Sequence, residues 1–275
     1  MRSIRGGPTA GDQFSLPDLT PFDGERLAAG GDHAAVDFVD LDLAGQDAPD
    51  SRFLECRLQR CGLDGASLRR ARIAESLISD IHAATVDFAD STWRDSQVSG
   101  GRLGAVTLVG ATWTDIRVRG SHFGFINLAG AHLQDVIFEG CEVGSLDVRG
   151  AELRSVTFVD CRVDEFDVAG ATLSKVDLSG ATLRTLVGVE SLRGAIISHQ
   201  QLVDLAPLLA AQIGIDVDPD RSWTSIDAEL LPQQPGTMDR ERQTAGDARA
   251  ADRRGGRPGE TGPAGALTAP GEGQR

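Results

Sequence analysis

Large apolar residues recur at every fifth position over more than half of this chain. The count begins at Phe38 and Leu43, and continues through Phe53, Leu58, Leu63, Leu68, Ile73 and Ile78. After a small Ala83 it resumes at Phe88 and runs to Leu183 as Leu, Phe, Val or Trp. Two residues before each centre stands a second inward candidate, small or aliphatic, such as Cys61, Ala66, Ala71, Ile116 or Ala151. The other places carry Asp, Glu, Arg, Thr, Ser and Gly. A period of five matches neither the helical 3.6 nor the strand's 2, so the chain must repeat a unit of its own.

Units such as Ala111-Thr-Trp-Thr-Asp115, Ala131-His-Leu-Gln-Asp135, Ala151-Glu-Leu-Arg-Ser155 and Ala171-Thr-Leu-Ser-Lys175 resemble the pentapeptide-repeat family. The resemblance implies an all-β solenoid: a right-handed quadrilateral β-helix with one pentad per side and twenty residues per coil. Its handedness comes from the resemblance alone.

The residues themselves argue for the number of sides. From Gly101 the inner second position alternates small (Gly101, Ala111, Ser121, Ala131) with large (Val106, Ile116, Ile126, Val136). Three pentads per coil would mix sizes within every vertical column. Four sort them, stacking Ala111, Ala131, Ala151 and Ala171 in one column, and Ile116, Val136, Val156 and Val176 in another. Close-packed interiors need that matching of volumes.

The pattern divides the chain into residues 1–35, a polar lead covering the first coil, the repeats at 36–197, a helical C-terminal cap or dimer element at 198–231, and a disordered tail at 232–275. Fourteen of the last 44 residues are Gly or Pro, a composition that disfavours a packed core. The tail's Arg240, Arg242, Arg253, Arg254 and Arg257 read as solvated charge. Between Gln46 and Asp50 the repeat falters at Pro49, which predicts a bulged or looped side. Ala83 predicts a local narrowing. The repeat stops at Leu186. Ser198-His-Gln-Gln201 then forms a capping box, Leu202, Leu205, Leu208, Leu209 and Ile213 make an apolar stripe, and Gly214 supplies the stop. Pro207 either kinks this helix or opens a second one capped by Asp204. The stripe can seal the open end of the solenoid or form a homodimer interface.

Net charge is −14 with pI near 4.7, which disfavours direct nucleic-acid binding and suits a basic protein or a basic cleft that normally holds DNA. No apolar leader stands in residues 1–20 and no run approaches a membrane span, so a cytoplasmic protein without membrane contact is expected. Cys56, Cys61, Cys141 and Cys161 all take the inner second position, where buried thiols act as small apolar fillers. They lack C-x-x-C spacing, and a disulfide between Cys141 and Cys161 would be incidental.

Catalytic motifs are missing: no G-x-S-x-G, phosphate-binding loop or H-E-x-x-H occurs. His82 and His122 fall on one wall and His132 on the opposite one, so they cannot converge. A side-chain-filled interior offers no deep pocket. The sequence therefore gives no enzyme, cofactor or metal site, and points to a protein-binding or scaffold solenoid.

Glu55, Glu75, Asp95, Asp115 and Asp135 are spaced by twenty and should stack along one edge, about 4.8 Å apart. Neighbours so placed repel by roughly 1 kcal/mol in bulk water. Two explanations stay open. Corner acids can accept backbone N–H groups in the turn, with Arg94 and Arg117 adding charge compensation. Alternatively the row mimics phosphates: the quinolone-resistance members of the family are dimeric acidic rods that resemble duplex DNA and bind type II topoisomerases, gyrase among them. About seven to eight coils would give a rod of roughly 35–40 Å. Against mimicry, Val36–Ser198 carries 24 acids and 16 bases, a net of −8, whereas duplex DNA has one charge per roughly 1.7 Å. Apolar residues at outward positions, Leu77, Phe125, Ile137 and Val159, are a third candidate contact surface, with Leu77, Ile137 and Val159 on one wall.

Overall fold

The computed structural model describes residues 15–24 and 26–217. The expected tail at 232–275, its arginines and the last part of the 198–231 segment lie outside the described residues.

Three extended residues followed by a corner form the repeating unit. In an extended stretch, residues two apart point the same way, so a pentad's centre and the residue two before it both face inward while the residue between faces out. The chain then turns at a residue in the left-handed region, as at Asp40, Asp50, Arg60, Arg70, Asp80 and Asp90 (φ 52–61°). Many other corners use Gly, Asp or Glu; glycine enters this region without steric cost, and Asp is enriched there among side-chain-bearing residues.

Through the repeats, strands pair in parallel with a partner twenty residues on: Trp93 with Trp113, Leu133 with Leu153, Phe166 with Leu186. Twenty residues are four pentads, so the chain is a four-sided parallel β-solenoid of about nine turns. Ala111 and Ala131 share a wall, since Thr112 pairs with His132 and the His132 N–H donates to the Ala111 carbonyl at 2.8 Å. Walls merge pairwise into a fourteen-stranded and a seven-stranded sheet.

The interior is a set of vertical stacks. Phe138 and Phe158 lie face to face, centroids 5.0 Å apart, and Trp93 and Trp113 are both buried. Each such side chain stabilises the fold by about 1.5–3 kcal/mol relative to exposure. The four cysteines are buried free thiols. The Cys61 Sγ contacts the Phe38 carbonyl at 3.3 Å, and burial pushes the Cys56 and Cys61 thiols up. The neighbouring Cys161 thiol of the next coil, then burial, pushes the Cys141 thiol up.

Strand pairing begins before the repeats. β1 (Thr20–Pro21) pairs with β3 (Val36–Val39), and β2 (Asp32–Ala34) with β4 (Arg52–Leu54). The side at Gln46–Asp50 is not bulged. Ala48 is buried, its N–H reaches Ser67 O at 2.9 Å, and Asp47 bridges Ser67 in register. The lead runs over this side, with the Leu27 N–H on Gln46 Oε1 at 2.6 Å and the Gly30 N–H on Pro49 O at 2.8 Å. Buried Leu27 supplies bulk that Ala48 lacks. At Ala83, apolar bulk moves to the position two before, where Ile81 is buried. An apolar cavity of about 60 Å³ runs nearby, lined by Trp93, Gly101, Leu103 and Phe123 among others; the interior is thus not filled throughout.

Past Leu186 the backbone makes one further pass, although the sequence pattern has gone. Ala195 pairs with Val176 after a turn of nineteen residues instead of twenty. A short 3-10 turn, Val189–Ser191, follows left-handed Gly188. Helix α1 (His199–Gln212) closes this end and continues through Pro207 as one helix. A second helix capped by Asp204 does not form: the carbonyl that Pro207 leaves without a donor belongs to exposed Val203, where water can take the missing bond. The capping box is present, with the Gln201 N–H on Ser198 Oγ at 3.2 Å and the Ser198 N–H on Gln201 Oε1 at 2.8 Å. Gln201 Nε2 also donates to Leu178 O (2.7 Å) and Ala181 O (2.8 Å), which ties the helix to the last coils. Left-handed Gly214 ends it.

Candidate functional site

Register brings Glu55, Glu75, Asp95, Asp115 and Asp135 to one corner, each left-handed with φ between 45° and 55°. Their backbone needs are met elsewhere: the Glu55 N–H goes to Ala74 O and the Glu75 N–H to Arg94 O, both at 3.0 Å. Among the described residues none of the five carboxylates accepts a backbone N–H, contrary to the turn-chemistry expectation. The side chains that do so stand elsewhere. Asp87, Asp147, Asp167 and Asp177, and the amide oxygen of Asn127, each accept from the N–H two residues on, at 2.8–3.1 Å.

Other corners offset their charge between coils. Arg60 bridges Asp40 (2.6 Å) and Arg70 bridges Asp50 (2.8 Å), each from the coil above, and Arg69 reaches Asp90 at 3.3 Å. Further along those two corners Gly100, Gly120 and Gly140, and Gly110, Gly130 and Gly150, replace charged residues. The Glu55–Asp135 row has little of this. Arg94 approaches Asp95 at 3.5 Å and Gln134 donates to Asp135 at 3.1 Å. Partial burial, then the carboxylates of Asp95 and Asp135, pushes the Asp115 carboxyl up despite Arg94.

Beside this row the surface is indented. Asp95, Asp115, Asp135, Gln97, Arg117 and Ile137 line an open groove of about 550 Å³. Ile137 is half-buried there, and Val159 is exposed on the same wall one coil further. Leu77 shares that wall, paired with Gln97. Phe125 does not join them. It is half-buried near the diagonally opposite corner.

That opposite corner changes conformation along the chain. Gly45 and Gly65 are left-handed there, but the equivalent Thr85 is not. The switch frees two N–H groups, and Asp64 Oδ1 accepts both, from Ala84 at 3.0 Å and Thr85 at 3.1 Å. In the following coils Gly104, Gly124 and Gly144 floor a crease of about 380 Å³ flanked by Arg102, His122, Glu142 and Arg162. These glycines are demanded by backbone approach: a Cβ on Gly124 would lie 2.5 Å from Gly104 O. His122 pairs with Glu142 (3.4 Å) and His132, on another wall, with Glu152 (3.7 Å). Among the described residues no group of His, Cys, Asp or Glu is placed to hold a metal ion, and no helix is long and apolar enough to cross a membrane.

On α1, Leu205 is buried and Leu209 half-buried against the solenoid core. Leu202, Leu208 and Ile213 are exposed, at 48%, 48% and 74%. The stripe is therefore split between a sealing side and an open side.

The coil geometry defines the class: a solenoid of the pentapeptide-repeat fold. No protein-family model matches the chain, and no curated protein does. Among solved structures it is similar to HetL, a pentapeptide-repeat protein involved in heterocyst differentiation regulation from the cyanobacterium Nostoc sp. strain PCC 7120. Identity is 18% over 63% of this chain and 92% of that one, with a TM-score of 0.28. It is also similar to two trypsin-treated variants of QnrB1, a plasmid-mediated fluoroquinolone resistance protein. One variant gives 19% identity over 68% of this chain and all of that one (TM-score 0.28), and the other 17% over 71% and all of that one (TM-score 0.29).

Proposed function

We propose that this chain is a non-catalytic binding solenoid whose Glu55–Asp135 corner docks a basic surface of a protein partner. The observation that carries this reading is an acidic row, among the described residues, left largely uncompensated, where the Asp40 and Asp50 corners pair charges with arginines of the next coil and then turn to glycine. A partner's arginines would relieve that repulsion, and Ile137 and Val159 beside the row add apolar contact. The reading places the protein in the cytoplasm, without membrane or direct nucleic-acid contact, and gives the exposed side of α1 (Leu202, Leu208, Ile213) to a homodimer. Affinity capture with the wild-type chain and with a Glu75→Gln/Asp95→Asn/Asp115→Asn variant tests it. Capture of a partner that weakens with salt and is lost in the variant supports the reading; a partner held equally by both overturns it. Sedimentation of Leu208→Glu, expected to be monomeric where the wild type is dimeric, tests the dimer.

A second reading is that the row imitates a DNA backbone and modulates gyrase or a related type II topoisomerase. The regular rise of its five carboxylates, about 4.8 Å per step, favours it. The row stops at Ser155 and Lys175, which take the next two corner places, and its charge density stays well below that of duplex DNA. Inhibition of gyrase supercoiling, lost in the same triple variant, would support mimicry. No effect at micromolar protein would leave the scaffold reading.

A further inference from the structure

At the N-terminal end of the solenoid, a place that the five-residue count assigns to an inward apolar side chain is held by His33. Its ring lies on that of Phe53, with centroids 5.2 Å apart and planes at 27°. Phe38 and Phe22 meet it edge-on at 5.3 Å and 5.8 Å. Nε2 is shut off from solvent and has no hydrogen-bond partner. Gly31 closes on that nitrogen, since a Cβ there would stand 2.9 Å away.

Among the described residues, the charged groups on the elements around this ring are engaged elsewhere or exposed. Asp32, on its own strand, bridges Arg52 of β4 at 3.3 Å. Asp37 of β3 is held by Arg57, and Glu55, just past β4, belongs to the acidic corner. Asp23 and Arg26 stand exposed on the lead. Among the described residues none of them hydrogen-bonds the imidazole.

A neutral imidazole suits this aromatic cage as a flat filler. An imidazolium would need an acceptor for Nε2–H and would carry its charge among phenyl rings, at a cost that aromatic faces offset only in part. We propose that His33 is a proton-operated latch, whose protonation releases Phe22, Leu27 and β1 from the first coil and uncovers the leading edge of the solenoid. What is released is light: β1 is two residues long and is held through the Thr20 N–H on Ala35 O and the Phe22 N–H on Asp37 O. What is uncovered is the free hydrogen-bonding edge of β3, a template for another strand. Acid would thus turn a capped end into an adhesive one.

Burial lowers the His33 pKa, with Asp32 partly opposing. The folded value then lies below the unfolded one near 6.5, so the contribution of His33 to stability is whole above that value. It falls away as the pH drops through the folded one.

Hydrogen exchange read by mass spectrometry on the full chain, at about pH 7.5 and about pH 5 and corrected for intrinsic rates, tests the latch. Peptides covering Thr20–Val39 should lose protection by about tenfold or more at the lower pH, while those covering His132–Val159 keep theirs. His33→Phe, which keeps an aromatic ring and removes the proton site, should abolish the response, and His33→Leu checks that result against misfolding of the first variant. An NMR titration of the His33 ring in the wild type gives an independent readout. Protection unchanged by pH in the wild type, an equal loss in both variants, or a ring that titrates at or above its ordinary value would each overturn the proposal.

Discussion

Trp113 stacks one coil beyond Trp93, ring centroids 5.7 Å apart, yet only Trp93 finds an acceptor for its indole N–H. Trp93 donates to Ser91 Oγ at 2.9 Å, whereas Trp113 has Ala111 in the equivalent place and its buried Nε1 has no partner. Ala111→Ser should supply the missing oxygen, because Ser91 already fits the same geometry one coil earlier. Stability should rise by about 1 kcal/mol, read as a higher urea midpoint with an unchanged slope. A lower midpoint would show that the column is too tight for the hydroxyl.

Beneath the acidic corner two serines take part in the backbone ladder. The Cys56 N–H donates to Ser76 Oγ at 3.0 Å and the Ser76 N–H to Ser96 Oγ at 3.1 Å, while each hydroxyl donates to the carbonyl two residues before it. Ser96→Ala leaves the Ser76 N–H buried and unpaired. It should cost about 1–3 kcal/mol, measurable by thermal unfolding. Ser99→Ala, at an outward position of the same wall, should be nearly silent.

Gly124→Ala should be among the most damaging single-methyl changes available. The added Cβ meets a backbone carbonyl, Gly104 O, that cannot rotate away. The variant should unfold at markedly lower denaturant, with a loss of about 1–3 kcal/mol from overpacking, or fail to accumulate as folded protein. Gly130→Ala meets no neighbouring atom, and its cost comes from its φ of 65° alone.

Asp147 and Asp115 should answer acid in opposite directions. Burial resists ionisation of Asp147, but the Arg149 side chain and backbone N–H outweigh it and hold the carboxyl below its ordinary range. Its stabilisation is therefore whole above the unfolded carboxylate pKa and is lost as the pH falls through the folded value. Asp147→Ala should flatten the acid limb of the stability–pH curve and lower stability at neutral pH.

For Asp115 the folded carboxyl is raised, so protonation relieves a penalty and the row becomes less costly as the pH falls through its folded value. Asp115→Asn should raise stability slightly at low salt, by about 0.5 kcal/mol or less after solvent screening, read as a higher melting temperature. The gain should vanish at high ionic strength, where exposed charges no longer sense each other. A salt-independent gain would point to packing as its cause.

The sequence carried the parallel register and the inward columns, because burial acts on every pentad and leaves a periodic trace. It misled at Gln46–Asp50, where Leu27, distant in sequence, comes to lie over the small Ala48. It stopped too soon at Leu186, since the last pass is held by backbone pairing that needs no apolar repeat. The corner acids were visible as a row, but their lack of backbone partners was not. The signal for N–H capture was there to be found in the Asp or Asn immediately before a pentad's centre, as in Asp147-Val-Arg-Gly150. His33 could not be singled out, because an unpaired buried nitrogen is a matter of neighbours rather than of spacing.

The offset of twenty between paired strands also limits how a chain of this kind can change length. Gaining or losing twenty residues adds or removes one lap and leaves every face above it aligned. An insertion of five would keep the local rhythm intact and yet swing everything downstream through a quarter turn, severing the row at Asp95 from its continuation. Such a rod can therefore be shortened or extended only in whole laps if a surface feature along its axis is to survive.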